Sequence, residues 1–327
     1  MPDEVFLTGG SGFVGGHVLA ALVAHGYRVR ALAREGTVRM LAAGDGRVNV
    51  VSGDLLRAGE LASALRGCRY LVHVAAHYSF TPWERPLTWQ VNVRGTASVL
   101  EAARIAGVER AVVTSSSATV GPARGHKPTE ADRPPPPKPG SGYHASKSWQ
   151  EVAALSAQLP VVLLLPTAPV GPGDRKPTPT GKTVLDYVRG RIPATVLGGM
   201  NLVAVEDVAA AHVAALERGR AGERYLLGGE DLVFDDLWDR LAQITGRGTP
   251  KVRLPHWLVD ALAQVDEARC RIMRSRPVIP VEGAHMSRNL MFVSSEKAIR
   301  ELGFQPTSVD AALERAVRWY REHGYVR

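Results

Sequence analysis

Tyr143 and Lys147 stand four residues apart in Tyr143-His144-Ala145-Ser146-Lys147. On a helix that spacing puts both side chains on one face, one turn apart. An ammonium near a phenol favours the phenolate and draws the tyrosine pKa toward neutral pH. Such a tyrosine can exchange a proton with a substrate oxygen while a nicotinamide exchanges hydride with the carbon. Alone, a Tyr-x-x-x-Lys pair is commonly a solvated helix face, so its meaning rests on its surroundings. Upstream, Thr114-Ser115-Ser116-Ser117 follows an apolar segment that reads as a strand. Hydroxyls just past the C-terminal end of a parallel strand sit where ligands bind, and a serine there can hydrogen-bond the reacting oxygen.

A second constellation opens the chain. Val5-Phe6-Leu7 reads as a short buried strand that runs into Thr8-Gly9-Gly10-Ser11-Gly12-Phe13-Val14-Gly15. The helical apolar pattern Val18, Leu19, Leu22, Val23 follows. Strand, glycine turn and helix together hold a dinucleotide pyrophosphate. The glycines let the backbone approach the phosphates, and the helix N-terminus offers unpaired N–H groups and a positive dipole end.

The elements that must position both sets alternate through the first half. Strands are expected at 27–33, 48–52, 70–74, 111–114 and 161–165, and helices at 60–65, 88–106 and from 143. That alternation predicts a Rossmann-type, doubly wound α/β fold, its parallel sheet covered on both faces. The proline run at 134–139 suits neither helix nor sheet, and 166–182, rich in Pro, Gly and Thr, is expected to be irregular. A helix at 207–218 and a strand at 224–227 follow, then helices at 235–245, 258–273, 295–302 and 309–323. The expected division is a dinucleotide domain over 1–165, to which 203–229 returns, and a smaller, mostly helical substrate lobe from 166–202 and 230–327.

Of the 327 residues, 45% are hydrophobic, enough for a large core. No run of about 18 apolar residues occurs, so no membrane span is expected, and the start lacks the basic region of a signal peptide. The two cysteines, Cys68 and Cys270, show no CxxC or Cys/His spacing. Neither a disulfide framework nor a metal site is expected, and the reducing cytoplasm is the natural compartment. The net charge of +8 comes from scattered arginines with no run of five basic residues, which argues against nucleic acid as a partner. The stretch 254–276 sets an apolar face beside Arg269, Arg271, Arg274 and Arg276. A packed helix with solvated arginines is the plainer reading of it, and peripheral contact with a membrane surface the other.

Taken in order, these pieces resemble the extended short-chain dehydrogenase/reductases of the NAD-dependent epimerase/dehydratase type. The resemblance covers essentially the whole chain. It rests on Thr8-Gly9-x-x-Gly12-x-x-Gly15, Gly53-Asp54-Leu55, His73-Val74-Ala75-Ala76, Asn92-Val93-x-Gly95-Thr96, Thr114-Ser115-Ser116, Tyr143-x-x-x-Lys147, Pro166-Thr167 and Gly171-Pro172-Gly173-Asp174. Within that family, 176–182 and 201–209 are similar to the bacterial hopanoid-associated sugar epimerase group, with dihydroflavonol-reductase-like enzymes next. The resemblance implies Ser116 as catalytic serine, with Ser117 its neighbour, and Tyr143 as general acid/base. It implies that Lys147 holds the nicotinamide ribose and lowers the tyrosine pKa. It puts Gly9, Gly12 and Gly15 at the pyrophosphate, Phe13 and Val14 closing over it, and Asp54 and Leu55 beside the adenine. Ala75 and Ala76 fall near the ribose, and Pro166 and Thr167 beside the nicotinamide. Asn92 is expected to tie a helix to the turn after the fourth strand.

Cofactor choice turns on the end of the second strand. An acidic residue about twenty positions beyond the glycines would take a ribose 2′-hydroxyl. Here the strand ends Ala33-Arg34-Glu35, and Arg34 resembles the 2′-phosphate arginine of reductase relatives. NADP(H) is therefore expected, with NAD(H) kept open by Glu35. Sugar-nucleotide epimerases of the family clamp a diphosphate with two arginines; this chain has Met200 and Ala284 at those places, with Arg288 near the second. Pro166-Thr167 stands where their strand-six asparagine would be. The substrate-pocket candidates are His77, Tyr78, Phe80 and Trp83, with Ser117, Val170, Met200 and the Trp257-Leu258 region; the same residue types serve as core.

The sequence thus reads as an NADP(H)-dependent enzyme interconverting a ketone and a secondary alcohol on a small organic or lipid-linked molecule. The alternatives are an NAD-dependent sugar epimerase using the same three residues, and a non-catalytic dinucleotide-sensing module. A homodimer through the helices at 88–106 and 143–159 is expected, as in many relatives.

Overall fold

The structure, a computed structural model, describes residues 3–41, 46–122 and 125–326. Its strands are β1 (Glu4–Thr8), β2 (Arg28–Ala33), β3 (Val48–Ser52), β4 (Tyr70–His73), β5 (Arg110–Thr114), β6 (Val161–Pro166) and β7 (Ala168–Val170). Beyond them run β8 (Ala194–Thr195), β9 (Gly199–Ala204), β10 (Arg224–Leu227), β11 (Glu230–Val233), β12 (Val252–Arg253) and β13 (Leu290–Met291). Seven form one parallel sheet in the order β10-β6-β5-β4-β1-β2-β3. Alternation sends Val5, Leu7, Val29 and Val72 to one face and Phe6, Leu71, Val113 and Leu163 to the other. Both faces are apolar because helices cover both. Phe13–Ala24 and Val205–Arg218 pack on the first; Ala58–Leu65, Gly95–Ile105 and Tyr143–Leu155 pack on the second. The strand order reverses at β1, with β2 on one side and β4 on the other, so the crevice for a ligand opens at the carboxyl ends of β1 and β4.

The stretch 166–182 is more regular than its composition suggests. β7 pairs in parallel with β9, which is flanked by β11 and β13 to make a second sheet. Pro169 is tolerated because β7 pairs on one side only. Thr178 caps the helix Pro179–Val188, its Oγ1 accepting from the Gly181 N–H at 3.1 Å. Proline in the first turn costs nothing there, since its missing N–H has no helical partner anyway. The second sheet and the helices Phe234–Thr245 and Val309–Glu322 enclose a separate apolar cluster containing Leu202, Leu232, Trp238 and Leu313.

The helix expected at 88–106 is present over 85–105 and widens in the middle. Arg85–Trp89 and Gly95–Ile105 are joined by a π turn over Gln90–Arg94. The wider turn seats Asn92 fully inside the protein, a local distortion that recurs at functional sites.

Candidate active site

The glycine turn is built for close approach. Gly9 follows β1 at φ +79°, and a Cβ there would lie 2.5 Å from the Ala75 nitrogen. A Cβ on Gly15 would lie 2.0 Å from the Gly9 oxygen, so helix and turn can meet only without one. The Gly12 N–H donates to the Gly9 carbonyl at 2.9 Å. No side chain caps the helix that starts at Phe13, and its first turn carries no acidic residue, which leaves its N–H groups and positive end for an anion. These residues fit a dinucleotide pyrophosphate. Val14 packs against the sheet's core cluster. Phe13 sits edge-on to His17 at 5.8 Å and borders a small crevice with Pro169, Val170 and Tyr320.

Tyr143 opens the helix Tyr143–Leu155, and the Ser116 side chain is near enough to its hydroxyl to favour the phenolate. Ser116 lies just past β5, where its Oγ accepts from the Ala118 N–H at 3.2 Å and caps the turn Ser117–Val120. The Tyr143 ring stacks on Tyr78 at 4.3 Å and meets Phe80 edge-on at 6.0 Å. The sequence suggests a phenol drawn down by Lys147; the structure reverses this. Burial pushes the Tyr143 phenol well up, Tyr78 and the carboxylate of Glu282 add to it, and Ser116 offsets only part. Lys147 is itself buried, and burial draws its ammonium down to about 7 despite Glu151. Its Nζ donates to the Thr114 carbonyl at 2.9 Å and to Gln150 Oε1 at 2.8 Å.

A buried polar chain joins the glycine turn to this helix. Thr8 Oγ1 lies 2.7 Å from His73 Nδ1, and His73 Nε2 lies 2.8 Å from Thr96 Oγ1. Gln150 Nε2 donates to the same Thr96 oxygen at 2.9 Å, and Thr96 donates to the Asn92 carbonyl at 2.7 Å. With the Thr96 hydrogen so engaged, His73 donates from Nε2. Burial and the nearby Lys147 push its pKa to about 3. Asn92 braces the loop after β4: its Oδ1 accepts from the His77 N–H at 2.7 Å, and its Nδ2 donates to the His77 carbonyl and to Ser146 Oγ. Glu151 anchors the helix from below. It accepts from Ser115 and Thr119 and pairs with Arg224 of β10 at 3.0 Å, both side chains nearly sealed from solvent. Glu151→Ala leaves that guanidinium buried and unpaired and is expected to cost about 3–5 kcal/mol in a denaturant titration.

One residue at the site has no signal in the sequence. Glu282, on the helix Val281–Ser287, reaches the start of the Tyr143 helix, where it accepts from the Tyr143 N–H at 3.3 Å and lies near the His144 N–H. It occupies the space where a side chain on Gly142, at φ +156°, would go. Burial pushes its carboxyl up to about 7, although Arg85 and the two N–H groups favour the charge. The folded protein therefore holds a proton that the unfolded chain releases near pH 4.5. Its stabilising contribution is full below about pH 4.5 and is lost as pH rises through about 7. Glu282→Gln is expected to melt higher than wild type at pH 8, by roughly 2–4 °C, and no higher at pH 5. Thermal scans at the two pH values check this; an equal shift at both would contradict it.

The other expected site residues are distributed as follows. Arg34 and Glu35 lie past β2 with exposed side chains. Asp54 is exposed, its Oδ1 accepting from the Leu56 N–H at 3.0 Å, while Leu55 packs on the core beside Gly95. Ala75 meets Gly9, and Ala76 follows it. Pro166 ends β6, and Thr167 donates to Asn201 Oδ1 at 2.8 Å. His77 is held by Glu84 at 3.0 Å, and Trp83 is partly exposed. Ser117 begins the turn after Ser116. Val170 faces the core of the second sheet rather than an open site, because β7 is packed against β9. Met200 packs on that same cluster. Ala284 is buried, and the guanidinium of Arg288 is committed to Asp260.

The family model described as "NAD dependent epimerase/dehydratase family" matches residues 5–228. The chain is 40% identical to a Synechocystis sp. protein provisionally named dihydroflavonol 4-reductase, covering 100% of this chain and 97% of that protein. It is 34% identical to sterol demethylase protein B of Methylococcus capsulatus, covering 98% of this chain and 99% of that protein. The crystal structure of gox2253 superposes with a TM-score of 0.86 at 38% identity, over 99% of this chain and 100% of that one. The crevice at β1 and β4, the glycine turn and these likenesses agree: the chain belongs to the NAD dependent epimerase/dehydratase family of extended short-chain dehydrogenase/reductases, and is an NAD(P)-dependent oxidoreductase/epimerase.

Proposed function

We infer that the protein is an NADP(H)-dependent oxidoreductase that interconverts a ketone and a secondary alcohol on an apolar, lipid-like substrate. The observation that carries this is the Tyr143–Ser116 hydroxyl pair set against the Tyr78 and Phe80 rings, in a chain without an arginine at either diphosphate position. Two of the relatives are named for a reductase and for sterol chemistry, which supports a bulky ketone. Gly9, Gly12 and Gly15 would hold the pyrophosphate, Asp54 and Leu55 the adenine side, and Ala75, Ala76, Pro166 and Thr167 the nicotinamide half. When bound, the cofactor supplies or takes the hydride. Ser116 donates to the substrate oxygen and orients it. Tyr143, kept protonated at neutral pH by its enclosure, gives that oxygen its proton and so suits the reductive direction. Lys147, one turn along the helix, offsets the charge then left on the phenol. Cys68 and Cys270, both buried free thiols, suit a reducing cytoplasm.

Purified protein given NADPH and a graded series of ketones, from cyclohexanone to 3-keto steroids, is expected to oxidise NADPH, fastest with the larger ones. NADPH left unspent by every ketone, with a sugar nucleotide epimerised instead, overturns the reading.

Arg34 supports the preference for NADP(H). Its side chain has no ion pair or hydrogen bond among the described residues, so it is available for a 2′-phosphate. Arg34→Ala is expected to weaken NADPH binding by about 10–100-fold and NADH binding hardly at all, read by fluorescence titration. Equal losses for both would contradict it. Leu87, Ile105, Val152 and Leu155, exposed on the helices at 85–105 and 143–155, support a homodimer through that face; sedimentation at micromolar concentration checks it.

A further inference from the structure

The helix His256–Met273 turns an apolar stripe outward. Trp257, Ala261, Val265, Ala268 and Ile272 recur at helical spacing and lie on one side. Trp257 is 70%, Val265 69% and Ile272 84% exposed, and Met273 and Val278 continue the apolar surface past the helix end. A contiguous patch of this kind is uncommon on a protein that meets only water.

The charges around the stripe are sorted. Residues 251–278 contain six basic and three acidic side chains. The acids face inward. Asp260 pairs with Arg288, Asp266 with Arg269, and Glu267 with both Arg85 and Arg271, and all three carboxylate side chains are mostly covered. Lys251, Arg274 and Arg276, close to the two ends of the helix in the chain, are exposed, and so are Arg271 and Arg253, paired with Glu267 and Asp235. A second copy seated on this face would bring its basic rim against an identical one. An anionic surface with an apolar interior meets both features at once.

We propose that this helix docks the protein on the surface of an anionic lipid membrane, its axis in the plane of the interface. No helix among the described residues is long and apolar enough to cross a membrane, so the helix lies on the bilayer. Its apolar stripe enters the headgroup boundary and the arginines engage lipid phosphates. The same helix grips Arg85 through Glu267 at 3.4 Å. Arg85 adjoins Glu84, which holds His77 beside the Tyr78 ring that stacks on Tyr143. The docking itself stands apart from the reductase reading, because vesicle binding needs no turnover.

The test is cosedimentation of the full chain with vesicles of phosphatidylcholine alone and of phosphatidylcholine with phosphatidylglycerol. Val265→Glu and Ile272→Glu are run beside wild type, with circular dichroism reporting the fold of each. Wild type is expected to bind the anionic vesicles, less at high salt and weakly to phosphatidylcholine alone. Each variant is expected to lose about tenfold in partitioning. Three results would overturn the proposal: no binding to anionic vesicles, binding that both folded variants retain in full, or self-association that the variants abolish without any vesicle binding.

Discussion

Gly15→Ala is expected to weaken NADPH binding by at least about a hundredfold while leaving the fold in place. The new Cβ would stand 2.0 Å from the Gly9 oxygen and 2.6 Å from its carbonyl carbon. Neither is the end of a flexible side chain, so the backbone itself must move. The Gly9 carbonyl holds the Gly12 N–H, and opening that contact widens the turn where the pyrophosphate must sit against helix N–H groups. Fluorescence titration with NADPH measures the loss, and circular dichroism separates it from unfolding. Affinity within about threefold of wild type would mean that the turn does not carry the phosphates.

Tyr143→Phe is expected to lower kcat for ketone reduction by about 10²–10⁴-fold with NADPH affinity nearly unchanged. The substitution keeps the ring that stacks on Tyr78 and removes only the phenol oxygen near Ser116. Its effect is thus confined to the proton. The raised phenol pKa also sets the pH dependence. Reduction uses the protonated phenol, which persists through neutral pH, so Tyr143 imposes no loss of reductive rate until strongly alkaline pH. Oxidation of the alcohol needs the phenolate and is expected to quicken as pH rises. A reductive rate that climbs from pH 7 to 9 and flattens in Tyr143→Phe would contradict this assignment.

Two features of the site were legible because they are local in the chain. The strand, glycine turn and helix at 5–23 are contiguous, and Tyr143 and Lys147 share a helix face by spacing alone. The sheet followed from the alternation of apolar runs with helical ones, and its seven strands lie close to where those runs fall. What escaped was whatever depends on distant parts of the chain meeting. Glu282 lies 139 residues from Tyr143, and neither its segment nor its neighbours mark it as a partner. Glu151 and Arg224 are an ordinary helix acid and strand arginine until burial pairs them. The direction of the Tyr143 shift was misread for the same reason. Helical spacing reveals the ammonium, whereas the burial that raises the phenol, and the Tyr78 and Glu282 charges that add to it, depend on the β4 loop and the C-terminal part of the chain. β7 was missed because Pro169 reads as a strand breaker, and only its pairing partner β9 makes the segment an edge.

The central claim is that this protein passes hydride between NADPH and a ketone carbon, with net turnover of the cofactor, and that Tyr143 supplies the proton in the reductive direction. The most direct test follows the label from NADPH dideuterated at C4 in the presence of the fastest ketone of the series, with wild type and Tyr143→Phe side by side. The account predicts one deuterium on the carbinol carbon of a secondary alcohol per NADP+ released by wild type, and almost no NADP+ or labelled alcohol formed by the variant in the same time. NAD that stays bound through purification, with epimerised sugar and no net transfer of label, would contradict it.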